Sequence, residues 1–285
     1  MHETDLPETS SRFEGADMRS VVAAIAAISV VGMGLGLTSP LISLSMERDG
    51  FSASVIGANM AIAGIAAIVA IPFVTAVSRR LGVVNTLVGC TFLAAICMLG
   101  FYATDPAPAW FLIRFVFSLC LAVVFVLSEF WINHSANEKS RGLILGIYGT
   151  VLSIGFAAGP AIVSFVGIDD FMPFGIGITI FVLASIPALL ARQGQPVMEP
   201  GGNTPPLLPF LLVVPLATGA GFIFGAAEQS QLSLMPVYGT VSGMSTSQAA
   251  LLLTVLGIGN VVFQMPLGIW SDRIADRRII LLICA

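Results

Sequence analysis

Gly268-Ile-Trp-Ser-Asp272-Arg273-Ile-Ala275-Asp276-Arg277-Arg278 overlaps the end of an apolar run at residues 247–270 and packs five charges into the seven positions 272–278. The contrast is sharp because only 10% of the 285 residues are charged, while 56% are hydrophobic and the mean hydropathy is +0.97. A soluble domain carries about 25% charged residues, so this chain cannot wet the surface of one. The same juxtaposition recurs earlier, where Arg79-Arg80 follows the apolar run 53–77. Charge confined to breaks between apolar runs indicates an integral membrane protein. The 12 basic and 16 acidic residues leave a net charge of -4, so no basic field exists to hold nucleic acid.

About twenty apolar residues cross a hydrocarbon core as a helix. On that measure, spans are expected at residues 21–45, 53–77, 83–103, 109–131, 143–167, 171–191, 209–238 and 247–270. The fold class is therefore all-α and polytopic, with eight complete helices. Residues 279–285 are apolar, but seven residues rise only about 10 Å, so they are expected to begin a ninth helix that is cut short.

Basic residues collect on the cytoplasmic side of membranes. Arg12, Arg19, Arg79, Arg80, Lys139, Arg141, Arg192, Arg273, Arg277 and Arg278 fall in the N-terminal tail and every second loop, whereas the intervening loops hold only Arg48. The expected topology has a cytoplasmic N-terminus, and the short loops suggest a bacterial inner membrane. The long polar stretch at 192–206 then separates six spans from the rest. The anchors Arg79-Arg80 and Asp272-Arg273 lie one repeat of about six helices apart. The expected organisation is a tail at 1–20, a six-helix bundle at 21–191, a linker at 192–208 and a partial second bundle at 209–285.

The stretch Gly268 to Arg278 resembles the cytoplasmic loop signature of the major facilitator superfamily, Gly-xxx-Asp-Arg-x-Gly-x-Arg. It keeps Gly268, Asp272, Arg273 and Arg277, with Ala275 in place of a Gly. The first-half copy is degenerate, with Thr75 and Arg79 replacing the Gly and Asp. In the fifth span Gly146, Gly155, Gly159 and Pro160 resemble the superfamily's antiporter motif, although Val163 and Ser164 stand where its last glycines belong. The resemblance implies two bundles that rock about a central cavity, here with the second incomplete. It implies transport of a small solute by alternating access, no enzymatic chemistry and no cofactor. The full-length chain is expected to be a monomer whose partners are the solute, protons and the bilayer.

Charged residues inside spans are costly and are functional candidates by default. Glu228, with Gln231 three residues on, marks one helix face in the seventh span, and its carboxyl is a candidate to take and release protons. Arg114 resembles the intramembrane arginine of superfamily antiporters. It must pair with Glu228, with backbone carbonyls or with an anionic solute group. Glu129, near the end of the fourth span, is expected to form a structural ion pair with Arg79 or Arg80. Asn59, Asn260 and Gln264 are expected to hydrogen-bond between helices rather than touch solute. For the gate, Asp272 is expected against Arg141 or the start of the fifth helix, with Arg273 and Arg277 holding the loop. Gly155 and Gly159 form a packing face in the plainer reading and a brake on leakage in the sharper one, and the Gly32-Met-Gly-Leu-Gly36 stretch is likewise a packing face. Proton-coupled efflux is the favoured function; a proton symporter for a sugar or organic acid, and a transport-inactive subunit or remnant, are the alternatives.

Overall fold

The computed structural model describes residues 17–104, 108–136, 141–198 and 215–273. Within them the chain forms eight α-helices: α1 (Met18–Arg48), α2 (Ala53–Leu81), α3 (Val83–Ala103), α4 (Ala109–Ser135), α5 (Arg141–Val166), α6 (Met172–Leu190), α7 (Pro215–Val241) and α8 (Thr246–Arg273). A single 3-10 turn, Arg192–Gly194, follows α6. Several helices extend a turn beyond the apolar spans, because the helix continues past the hydrocarbon layer until a cap or a glycine stops it. Asp17 caps α1 and Ser52 caps α2, each accepting from a backbone N–H of the first turn. At α8, Ser245 Oγ accepts from Gln248 N at 3.3 Å while Gln248 Oε1 accepts from Ser245 N at 3.0 Å, a reciprocal capping box. Gly82, at φ +85°, makes the abrupt turn from α2 into α3 that a residue with a Cβ would resist.

Seven of the helices are long and apolar enough to cross a membrane. The other, α7, has 27 residues, about 40 Å, but carries Glu228, Gln229, Ser230, Gln231 and Ser233 within six positions. Residues 209–214, the first of the expected seventh span, lie outside the described residues, as does the expected start of a ninth helix.

α1 is the hub. It packs against α4, α5 and α6, while α2 lies on α4 and α3 bridges α4 and α6. α8 lies along α5, and α7 packs on α8, α1 and α2. The interior divides into two apolar clusters. One, containing Leu37, Leu41, Phe101, Phe117 and Phe181, lies toward the end of α1. The other, containing Ala24, Ile28, Leu87, Val124 and Trp131, lies toward its start. Large apolar side chains such as Ile68, Phe73, Leu183 and Leu190 point outward, which suits lipid and not water.

The first part of the linker is not loose. Gln195 Oε1 accepts a hydrogen bond from Val84 N at 3.0 Å, satisfying the start of α3, which has no local side-chain cap. Ser20 Oγ is within 2.6 Å of Asp17 Oδ2 and 3.1 Å of the Gly194 carbonyl oxygen, tying the same turn to the start of α1.

Candidate transport site

Arg114 lies five residues into α4 and is completely buried. Its Nη1 donates to Thr38 Oγ1 on α1 at 3.2 Å, and Thr38 Oγ1 donates in turn to the Gly34 carbonyl oxygen at 2.6 Å. The guanidinium Nε and Nη2 have no hydrogen-bond partner. Ser118, one turn further along α4, also has a buried hydroxyl without a partner. On α2, both polar atoms of the fully buried Asn59 are unpaired. Ile56, three residues before Asn59 on the same helix face, belongs to the cluster containing Phe117 and Leu121 of α4. A buried donor without an acceptor costs about 1–3 kcal/mol, more when charged, so the unmet nitrogens of Arg114 are costly to bury.

Several expectations need correction. Arg114 forms no ion pair with Glu228. Among the described residues the ion pairs are Arg48–Asp49 at 3.2 Å and Arg48–Asp169 at 2.7 Å, both at the end of α1. Glu228 is half-buried on α7, and Gln231 is exposed. The anticipated bond between Glu129 and Arg80 or Arg79 is also absent; all three side chains are exposed, where water competes with a pair and its net value is small. Asn59 makes no interhelical hydrogen bond.

The glycines of α5 meet those of α1 backbone to backbone. A Cβ on Gly155 would stand 2.7 Å from the Gly32 carbonyl carbon, and one on Gly36 would stand 2.7 Å from the Gly155 carbonyl oxygen. A Cβ on Gly159 would collide with Gly36 and Leu37. The two four-residue glycine spacings thus run parallel and in step, Gly32 beside Gly155 and Gly36 beside Gly159. Gly146 faces open space, so it plays no part in this contact.

Of the expected gate residues, Arg141 begins α5, and Gly268, Asp272 and Arg273 belong to the last turns of α8. Their side chains, those of Asn260 and Gln264, and the whole of Arg277 lie outside the described residues. Two contacts set the register of these antiparallel helices. Ser164 Oγ is 2.7 Å from Ser247 Oγ, and a Cβ on Gly257 would stand 2.9 Å from Ala157.

Sequence reasoning missed Thr38 and Gln195. Thr38 gives no signal, because a hydroxyl in an apolar helix ordinarily bonds its own backbone, as Thr38 also does.

The Major Facilitator Superfamily sequence profile matches residues 24–285. The chain is 28% identical over 261 residues to the uncharacterized MFS-type transporter YfkF of Bacillus subtilis (strain 168), covering 90% of this chain and 67% of that protein. It is 26% identical over 189 residues to the uncharacterized MFS-type transporter YcaD of Escherichia fergusonii, covering 65% of this chain and 47% of that one. The chain therefore spans about two thirds and about half of these relatives' lengths. In three dimensions it resembles the nucleoside transporter NupG, with a TM-score of 0.67 at 18% identity, and a D-xylose-proton symporter, with a TM-score of 0.62 at 17% identity. Each likeness covers 90% of this chain and 69% of the other, and at such identities it is a likeness of fold. With that fold, its apolar helices and a profile match along nearly its whole length, the chain is a multi-pass membrane protein that belongs to the Major Facilitator Superfamily, a family of transporters and not of enzymes.

Proposed function

We propose that the protein is a secondary active transporter that moves a small solute by alternating access, coupled to protons and working as an efflux antiporter. The observation that carries this reading is the buried Arg114, whose guanidinium has one hydroxyl partner and two nitrogens, Nε and Nη2, without one among the described residues. A permanent cation without a carboxylate, deep in an apolar bundle, costs folding energy that a structural role does not explain. It suits a group that receives a partner during the cycle, either an acceptor on the solute or the Glu228 carboxylate. Glu228 is half-buried and has no ion-pair partner among the described residues, which suits a carboxyl that exchanges protons as the cavity opens to each side. In this reading α1–α6 form the N-terminal bundle, with the N-terminus cytoplasmic, and α7 and α8 open the second bundle.

The register of α5 and α8 supports a gate at the end where α5 begins. From the Ala157–Gly257 contact, sixteen residues back along α5 reach Arg141 and fifteen forward along α8 reach Asp272. An acidic residue facing a helix N-terminus is favourable, so Asp272 against the start of α5 would hold that side closed. The tight α1–α5 glycine contact would make the two helices move as one and limit leakage between them.

The test is proton-driven flux. In proteoliposomes with an imposed pH gradient, a panel of radiolabelled organic acids, sugars and nucleosides is expected to contain a solute whose movement follows the gradient. Glu228→Gln is expected to remove the dependence on the gradient; a variant that keeps it rejects the coupling role of Glu228.

A further inference from the structure

The guanidinium of Arg114 leaves one particular edge free. Nη1 donates to Thr38 Oγ1 at 3.2 Å, while Nε and Nη2 are buried and have no hydrogen-bond partner among the described residues. Nε and Nη2 share one side of the planar group, so their N–H bonds run side by side, at the spacing that the two oxygens of a carboxylate match. Thr38 is itself fixed, because its Oγ1 donates to the Gly34 carbonyl oxygen at 2.6 Å. Ser118, one turn along the same face of α4, is buried with its hydroxyl unpaired among the described residues. α2 runs parallel to α4: Ile56 shares one apolar cluster with Phe117, whereas Ala70 and Val74 share the other with Val124 and Leu127. Asn59, the seventh residue of α2, therefore lies at nearly the depth of Arg114, the sixth of α4, and both atoms of its amide are unpaired.

We propose, resting on the transport reading above, that the solute is a small monocarboxylate bearing a hydroxyl group. Its carboxylate would sit on the Nε–Nη2 edge of Arg114, with its hydroxyl served by Ser118 and Asn59. One carboxylate balances one buried guanidinium and meets both free N–H directions. A dianion would carry a second charge into the bundle, and Arg48 is already held by Asp49 and Asp169. A neutral sugar would leave the cation uncompensated. Glu228 is a poorer match for this edge than a solute, because α7 packs mainly on α8, α1 and α2. Arg114, Ser118 and Asn59 are all buried in this structure, so the solute reaches them in the state of the cycle that opens the bundle.

Calorimetric titration of the purified protein in neutral detergent tests the site without requiring flux. The probes are L-lactate and 3-hydroxybutyrate, with propionate and butyrate as counterparts lacking the hydroxyl, lactamide as an uncharged one and sulfate as a dianion. At least one hydroxy acid is expected to bind saturably, at least roughly tenfold more tightly than lactamide or sulfate and several-fold more tightly than its counterpart without the hydroxyl. Arg114→Lys keeps the charge but loses the fork and is expected to weaken that binding at least roughly tenfold. Ser118→Ala is expected to erase most of the preference for the hydroxy acid, a ratio that a merely structural serine would not move. No saturable binding of either hydroxy acid, equal binding of lactamide or sulfate, or undiminished binding in Arg114→Lys overturns the proposal. So does an unchanged preference in Ser118→Ala, which keeps the test open where Arg114→Lys fails to fold. Hydroxy-acid binding without proton-driven flux of any solute supports the site and rejects coupled transport. Proton-driven flux of a sugar or nucleoside by a protein that binds neither hydroxy acid does the reverse.

Discussion

Arg114 and Thr38 join α4 to α1 by one hydrogen bond of 3.2 Å, the only hydrogen bond that this buried guanidinium makes among the described residues. Removing it strands the charge completely. Thr38→Val is nearly isosteric and is expected to cost about 1–3 kcal/mol, read as a lower melting temperature in detergent, with Thr38→Ser restoring most of the loss. An unchanged Thr38→Val would mean that Arg114 is satisfied elsewhere.

Arg114 itself should behave in the opposite way. Replacing an uncompensated buried charge with an apolar side chain of similar length removes a desolvation penalty. Arg114→Met is therefore expected to leave the melting temperature unchanged or raised, while proton-driven flux is lost. Loss of stability together with flux would indicate a structural arginine.

The paired glycines give a graded prediction. Gly159→Ala places a methyl against the backbone of Gly36 and Leu37, which cannot move aside as a side chain can, and overpacking of this kind costs about 1–3 kcal/mol. Gly146→Ala meets nothing and is expected to be neutral or slightly stabilising, by up to about 1 kcal/mol. Thermal unfolding of the two variants side by side checks the contrast.

Gln195 is expected to matter more than its place in a polar linker suggests. Gln195→Ala exposes the first N–H groups of α3 and should cost roughly 1 kcal/mol, whereas Gln195→Glu keeps an acceptor and adds a charge that the helix N-terminus favours. Hydrogen exchange at Val84 reports the cap directly: faster exchange in Gln195→Ala and protection in Gln195→Glu.

The proposed gate predicts proximity. In a protein freed of its native cysteines, the pair Arg141→Cys and Asp272→Cys is expected to cross-link under mild oxidation when the side of the bundle where α5 begins is closed. Absence of a cross-link in every condition in which the protein moves solute rejects the gate.

Much of the architecture was legible in the chain because the membrane imposes a simple rule. The bounds of α3 coincide with an apolar run at 83–103, and those of most other helices differ from their runs by a few residues. Charge inside a span made Arg114 conspicuous. Its partner was not, since Thr38 is one of several hydroxyls on an apolar helix. The glycine spacings on α1 and α5 were each visible, but that they oppose one another in step is a fact of tertiary packing. The expected Glu129–Arg80 pair failed because complementary charge on the same side of a membrane does not bring two solvated side chains together. Gln195 was unreadable, since a linker has no periodicity from which to infer a long-range contact.

The central claim is that solute and protons move in opposite directions through this protein. It is tested most directly by the pH inside proteoliposomes loaded with pyranine when a solute from the panel is added outside. Antiport predicts that the lumen turns alkaline relative to protein-free liposomes, and that Glu228→Gln abolishes the change. An acidified lumen would establish symport, and no change with any solute would contradict proton coupling altogether.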